Sequence, residues 1–464
     1  MVFPRTTKAW DFFCEATREG LDKCEINISS DDPTVLNLPW ELLYTPDYQF
    51  LAPSVAGMYR SLSGYAVRAP MEQLSQDKLN ILLVISRPYG EKDVALKTIA
   101  RPLLEALKPI KKHVSLKVLR PPSFEEFERE LNTHKGFYHI VHFDGHGNFD
   151  KNSVGFQYSY GSKGQGVLVF ENTNGSPQII TAAQIAQSLN DCRVPIFVLN
   201  ACKSAQEGEG SFSSVATRLV SLGAKGVVAM SYNVQVQAAK HFIERFYQQL
   251  VLGTDISTAV ASARRQVLNQ RLRPSPKGDL PLADWMVPVL YQQETYRPFS
   301  QPSTTSDTLD IDDFLEEANS KLVGFPEQGR YGFIGRDYDI LRLERAFRQN
   351  NIVLLQGMGG VGKTELTAGF AQWLEETQGR EHLFFISFES GASLSRVVNE
   401  VGRAVWGDKF SQYSAEQQQK AVLNYLKQKP CLLIWDNFEP VAGFPEGNEP
   451  LLNADERDDW FFRN

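Results

Sequence analysis

The chain has 464 residues, 42% hydrophobic and 22% charged, which is a globular composition with enough apolar material for more than one core. Its 48 Lys plus Arg against 55 Asp plus Glu leave a net charge of −7. That balance argues against a dedicated nucleic-acid binder, which needs a basic face. The five cysteines, Cys14, Cys24, Cys192, Cys202 and Cys431, show no CxxC and no framework spacing, as expected of reduced thiols in a cytoplasmic protein. No apolar run approaches the ~18 residues that span a bilayer. The N-terminus carries charges where a signal peptide needs an apolar core, so no membrane association is expected.

In chain order, the first part alternates strands and helices. Leu79–Ile85 (LNILLVI) is a continuous apolar run suited to a strand buried on both faces. A helix is predicted over Val94–Leu107, a strand over Val114–Leu119, and a helix over Ser123–Leu131 with Ser123 as its N-cap. Further strands are predicted at Gly136–Phe143, Val194–Asn200 and Gly226–Ala229. Helices are predicted at Thr181–Leu189, Phe212–Leu222 and Val236–Leu252. This alternation implies an α/β fold with a mostly parallel sheet sandwiched by helices. Residues 299–322 carry six acids and one Lys beside a Ser/Thr/Pro cluster. They read as an acidic linker with a short helix near Phe314–Ala318. The boundaries are therefore 1–298, 299–322 and 323–464. In the last part, strands are predicted at Asn351–Gln356, His382–Glu389 and Cys431–Asp436, and helices at Thr364–Glu375, Leu394–Val405 and Ala415–Lys427.

Two strands of the first part end in residues with chemistry. Gly136–Phe143 runs into Asp144-Gly145-His146-Gly147, read as a turn, and Val194–Asn200 runs into Ala201-Cys202-Lys203-Ser204. In a parallel sheet, strand C-termini share one edge, so His146 and Cys202 are candidate neighbours across 56 positions. A thiol attacks as thiolate, which needs a nearby base. Glycines flanking His146 let backbone approach a substrate, and backbone N–H groups can hold an oxyanion. The plain alternative is that Cys202 is buried packing and His146 structural, and spacing alone does not decide between them. His139 and His142 differ by an odd number within one strand, which points them to opposite faces and disfavours a metal site.

Tyr138–Gly147 (YHIVHFDGHG) and Val198–Ala205 (VLNACKSA) resemble the His and Cys boxes of the CHAT peptidases, caspase-like cysteine proteases of the clan of caspases and separase. Leu38–Leu43 (LPWELL), Gly223–Ser231 (GAKGVVAMS) and Asp284–Tyr291 (DWMVPVLY) resemble further landmarks, and the similarity covers roughly residues 25–295. The resemblance implies a cysteine endopeptidase acting on protein substrates. His146 would be the general base and Cys202 the nucleophile, with the N–H groups of Gly147 and Cys202 forming the oxyanion hole. Asp144 would either tune the site or be structural.

After the predicted strand Asn351–Gln356 comes Gly357-Met358-Gly359-Gly360-Val361-Gly362-Lys363-Thr364, a GxxxxGK[ST] phosphate loop. Gly357, Gly359, Gly360 and Gly362 let backbone N–H groups curl around phosphate. Lys363 would reach the outer phosphates, and Thr364 with Asp436, at the end of an apolar strand, would hold Mg²⁺. The region resembles the STAND/NB-ARC-like switch NTPases, and Phe333-Ile334-Gly335-Arg336 matches the motif whose Arg lies near the nucleotide. Asn437 stands where that family often has a second acid, with Glu439 as a stand-in, so ATPase activity is left open. The further lobes of such a module are missing from the chain, so the NTPase part is expected to be incomplete. Weak ATP or ADP binding with Mg²⁺ is expected.

The resemblances imply a peptidase effector controlled by a nucleotide-dependent switch, a homo-oligomer when full length, in bacterial immunity or programmed cell death. The alternative is a nucleotide-binding scaffold whose CHAT domain recruits partners without cutting them.

Overall fold

The computed structural model describes residues 7–45, 49–64, 74, 77–93, 95–150, 165–201, 211–230, 235–299, 322–326, 333–380, 382–389 and 393–442. The chain divides into two compact units, residues 1–305 and 306–464. Most of the predicted linker, including the short helix near Phe314–Ala318, lies outside the described residues. Its two ends depart from expectation. Phe299 is fully buried, with its ring beside His139, and Leu322–Val323 is a short strand.

The strands of the first unit are β1 (Glu25–Ser29), β2 (Gly57–Ser61), β3 (Leu79–Ile85), β4 (Val114–Val118), β5 (Ile140–Asp150), β6 (Gln165–Glu171), β7 (Pro177–Thr181), β8 (Ile196–Ala201), β9 (Gly226–Met230), β10 (Leu272–Arg273), β11 (Leu280–Pro281) and β12 (Pro288–Gln292). The main sheet runs β1-β2-β12-β9-β8-β5-β3-β4. Its five strands from β9 to β4 are parallel, as predicted. β12 is antiparallel to β9 and parallel to β2, so the sheet is mixed, with one antiparallel pairing along that order. β1, β2, β6, β7 and β12 were not predicted. No apolar run as long as that of β3 marks them.

All seven residues of β3 are buried, because helices cover both faces of the parallel strands. Each such Leu, Ile or Val contributes about 1.5–3 kcal/mol. One side of the sheet packs Phe127, Phe143, Phe170 and Phe197 into a single apolar cluster. Ser123 caps the helix Phe124–Thr133, accepting the Glu126 N–H at 3.2 Å. At Gly226 a Cβ would come within 2.5 Å of Ile256 Cδ1, so the end of that side chain would have to turn away to admit one.

His142 on β5 is fully buried against Tyr247, its Nδ1 3.0 Å from the phenol oxygen. Burial pushes its pKa down to about 3, so the folded ring stays neutral. The unfolded chain binds a proton there below about pH 6.5 and the folded chain does not. Stability is therefore expected to fall as pH drops from about 6.5 towards about 3. Urea midpoints across that range should show the loss, and His142→Gln, which cannot take the proton, should flatten it.

In the second unit β13 (Leu322–Val323), β14 (His382–Ser387) and β15 (Cys431–Asp436) form a parallel sheet in that order. The core around Phe384, Val398, Val401, Phe410 and Val422 sits on one side. The predicted strand Asn351–Gln356 is not a strand: residues 352–358 have no ladder partner among the described residues. Val353 and Leu355 are half-buried while Ile352 and Leu354 are 82% and 85% exposed. An apolar run becomes a buried strand only when both faces are covered, and here one face lacks a neighbour among the described residues.

Candidate active site

β5 brings the site's histidine into position by changing partners along its length. Its first half pairs in parallel with β3 and β8, up to Asp144 beside Ile85 and Gly145 beside Ala201. From His146 onward it pairs antiparallel with β6: His146 with Val169, Gly147 with Leu168. His146 and Gly147 are thus inside a strand, not in the turn expected after Phe143. The hairpin of β6 and β7 supplies the partner that extends it. Gly145 is required where the strand leaves the main sheet, since a Cβ there would lie 2.8 Å from the Phe143 ring and 3.1 Å from Ser86 Cβ.

The end of β3 is fastened to this crossing point. Ser86 N–H donates to the Asp144 carbonyl at 2.9 Å and Ser86 Oγ to the Val169 carbonyl at 2.7 Å. The buried Arg87 donates through Nη2 to Asp144 Oδ2 at 2.5 Å and through Nη1 to the Asp144 carbonyl at 2.9 Å. Its backbone N–H donates to Glu171 Oε1 at 2.9 Å. Burial pushes the Asp144 carboxyl up against the opposing pull of the Arg87 charge. Asp144 thus anchors Arg87, and the His146 charge also acts on its carboxyl.

The carboxylate in contact with His146 belongs to Asp93, on the turn after β3. His146 Nε2 is hydrogen-bonded to Asp93 Oδ1. Asp93 Oδ2 accepts the Tyr89 N–H at 2.7 Å, and the Tyr89 ring meets the imidazole edge-on at 5.1 Å. The His146 side chain is 15% exposed and that of Asp93 1%. Sequence reading missed Asp93, Tyr89 and Arg87. They lie more than fifty positions before His146, in a polar turn with no motif of its own.

Cys202 lies outside the described residues. The ladder places the residue before it, Ala201, opposite Gly145, the residue before His146. The other thiols among the described residues are Cys14, Cys24, Cys192 and Cys431. Burial pushes the Cys192 thiol up. His139 Nδ1 accepts the Asn80 N–H at 3.0 Å and His142 meets Tyr247, so the two rings serve different neighbours within the core.

The CHAT domain family matches residues 8–303. The chain belongs to the CHAT domain family. Among curated proteins no sequence matches it. Solved structures similar to it include the Saccharomyces cerevisiae separase–securin complex, 15% identical, with a TM-score of 0.31 over 58% of this chain and 15% of that one. Another is the Arg-specific cysteine proteinase gingipain R, 10% identical, with a TM-score of 0.35 over 62% of this chain and 67% of that one. This CHAT chain thus spans about 15% of the separase chain it matches. These distant likenesses do not bear on activity. Among the described residues, no helix is long and apolar enough to cross a membrane.

Several landmark segments of the CHAT match are explained by packing. Glu41, in Leu38–Leu43, is buried between Arg60 and Arg264, with Nη1 of Arg60 2.7 Å and Nη2 of Arg264 3.1 Å from its Oε1. Asp284, in Asp284–Tyr291, holds the buried Arg273 through two bonds of 2.8 and 2.9 Å, and the adjacent Trp285 ring lies tilted by 53° against that of Phe50, 4.8 Å away. Lys225, in Gly223–Ser231, pairs with Glu294 at 2.6 Å.

The glycine-rich loop of the second unit has its own geometry. Gly360 and Gly362 have φ of +75° and +85°, the left-handed region that glycine adopts without strain. Lys363 Nζ folds back onto the Gly357 carbonyl at 3.0 Å and the Met358 carbonyl at 3.3 Å. Thr364 Oγ1 donates to the Asp436 carboxylate at 2.9 Å. Arg336 Nη1 donates to the Val361 carbonyl at 3.2 Å, which puts it beside the loop. A Cβ on Gly359 or Gly360 would meet nothing within 4 Å.

Proposed function

We propose that residues 1–298 are a caspase-like cysteine endopeptidase and that residues 323–464 are the N-terminal part of a STAND/NB-ARC-like nucleotide-dependent switch that governs it. The observation that carries the peptidase reading is the β5–β8 register, with Gly145 opposite Ala201. In sequence, the residues that follow them, His146 and Cys202, are the two members of the proposed dyad. Family membership over residues 8–303 supports it.

In this reading the His146 imidazole takes the Cys202 thiol proton, and the thiolate attacks the scissile carbonyl of a protein substrate. The backbone N–H groups of Gly147 and Cys202 stabilise the oxyanion. His146 returns its proton to the departing amine, leaving a thioester. Water then hydrolyses the thioester, and His146 passes the proton back to sulfur. Proteome-wide cleavage profiling of the full-length protein, native against Cys202→Ala, tests this. Cleavage products common to both would overturn the peptidase reading in favour of a scaffold that recruits partners without cutting.

The loop residues fit a nucleotide with Mg²⁺. Left-handed Gly360 and Gly362 suit a loop that curls its N–H groups round a phosphate, and Thr364 and Asp436 already share a hydrogen bond as two ligands of one ion would. Lys363 and Arg336 would face the phosphates, and bound ATP or ADP would supply the charge that distinguishes the two states of a switch. Residues 356–361 are exposed, so phosphate contacts there compete with water and binding is expected to be weak. Lys363→Ala should weaken ATP or ADP binding at least about tenfold, about 1.4 kcal/mol, by removing the side-chain counter-ion. Calorimetry on both chains measures it. The setting we propose is cytoplasmic, in bacterial immunity or programmed cell death, with homo-oligomerisation of the full-length protein as the activating event.

A further inference from the structure

Resting on the peptidase reading of His146, we propose that Asp93 is the positioning residue of that histidine: it fixes the ring's proton on Nε2 and leaves Nδ1 as the basic nitrogen. A carboxylate oxygen only accepts, so the Nε2 in contact with Asp93 Oδ1 must carry the hydrogen of their bond. The neutral ring then has its lone pair on Nδ1, the nitrogen left to take a thiol proton. The carboxylate is itself held. Its Oδ2 accepts the Tyr89 N–H at 2.7 Å, and Asp93 N–H donates to the Gly90 carbonyl at 3.1 Å. With its side chain 1% exposed, water does not compete for either oxygen. The Tyr89 ring, edge-on at 5.1 Å and 73°, restricts rotation of the imidazole. Among the described residues, the buried carboxylates Asp144 and Glu171 have partners of their own, Asp144 the Arg87 side chain and Glu171 the Arg87 N–H.

The competing explanation is that Asp93 merely ties its own turn through Tyr89. The two differ in what asparagine does. In Asp93→Asn the amide oxygen can keep the Tyr89 N–H, which turns the NH₂ group towards His146 Nε2. That nitrogen must then accept, and the proton moves to Nδ1. For a turn-holding residue Asp93→Asn is the mild change and Asp93→Ala the severe one. For a positioning residue the order inverts.

The experiment uses the full chain with ¹⁵N-labelled histidine, the His146 signals being assigned by their loss in His146→Gln. The neutral native ring should show its proton on Nε2, and Asp93→Asn should move it to Nδ1. In peptide cleavage, Asp93→Asn should lower kcat about 10²–10⁴-fold with KM within about twofold, more than Asp93→Ala does. Asp93→Glu should restore part of the rate. An unchanged His146 tautomer in Asp93→Asn, or a cleavage rate above that of Asp93→Ala, would overturn the proposal. If the native chain cleaves nothing, the peptidase reading fails, and the tautomer measurement still decides the role of Asp93.

Discussion

Cys202→Ala is expected to abolish peptide-bond cleavage, and His146→Ala to lower kcat/KM by about 10²–10⁴-fold. The two losses differ for a physical reason. Without the sulfur no covalent intermediate forms, so nothing remains of the pathway. Without the imidazole the thiol still ionises in part at neutral pH and still has its oxyanion donors, but no group passes the proton to the leaving amine. The double variant should be no worse than Cys202→Ala alone, because the two residues act as one unit. Steady-state cleavage of a peptide found by the profiling experiment measures all three. A His146→Ala chain within about threefold of native would remove the histidine from the chemistry.

Glu41→Ala is expected to cost about 3–5 kcal/mol, the range for removing one member of a buried ion cluster. Burial pushes the Glu41 carboxyl up, but Arg60 and Arg264 outweigh it and hold it below the usual carboxylate range. Arg264 has no exposed side-chain surface, and burial draws its own pKa down to about 10. Arg60 keeps bonds to the Leu36 and Leu38 carbonyls, at 2.6 and 2.9 Å, and Arg264 to that of Pro288, at 2.7 Å. In the alanine variant two guanidiniums lose their common counter-charge with no water to replace it. The cluster links residues 36–41, β2, β12 and the helix Ile256–Asn269, so the loss should appear as lower overall stability rather than local fraying. Urea unfolding of native and Glu41→Ala chains reads it. A cost under about 1 kcal/mol would mean the cluster is hydrated in solution.

Long apolar strands were legible in the sequence because burial on both faces leaves a continuous run. β3 shows this most clearly, and β8 and β9 follow it. β12 was not legible as a strand, although its segment was recognised as a landmark, because Pro288 and Gln292 interrupt its apolar run. The positions of His146 and Cys202 after apolar strands could be read, but not the extension of β5 through His146, which depends on a hairpin that follows it. Asp93 could not be read because its partner is 53 positions away and its turn has no periodicity. Asn351–Gln356 failed in the opposite direction. Its apolar run is genuine, yet Ile352 and Leu354 are exposed, since strand formation depends on neighbours as well as on composition.

The central claim is that Cys202 is the activated nucleophile and His146 its base. Limiting iodoacetamide at pH 6.5, followed by mass spectrometry of each of the five cysteines, tests it without knowledge of the substrate. A thiol beside a base is ionised where an ordinary one, with a pKa of about 8.5, is not. Cys202 should therefore be alkylated at least about tenfold faster than Cys14, Cys24 or Cys431, with Cys192 slowest because burial raises its pKa. His146→Ala should remove the excess at Cys202 alone. Alkylation of Cys202 at the rate of Cys14, Cys24 and Cys431, or an excess that survives in His146→Ala, would contradict the account.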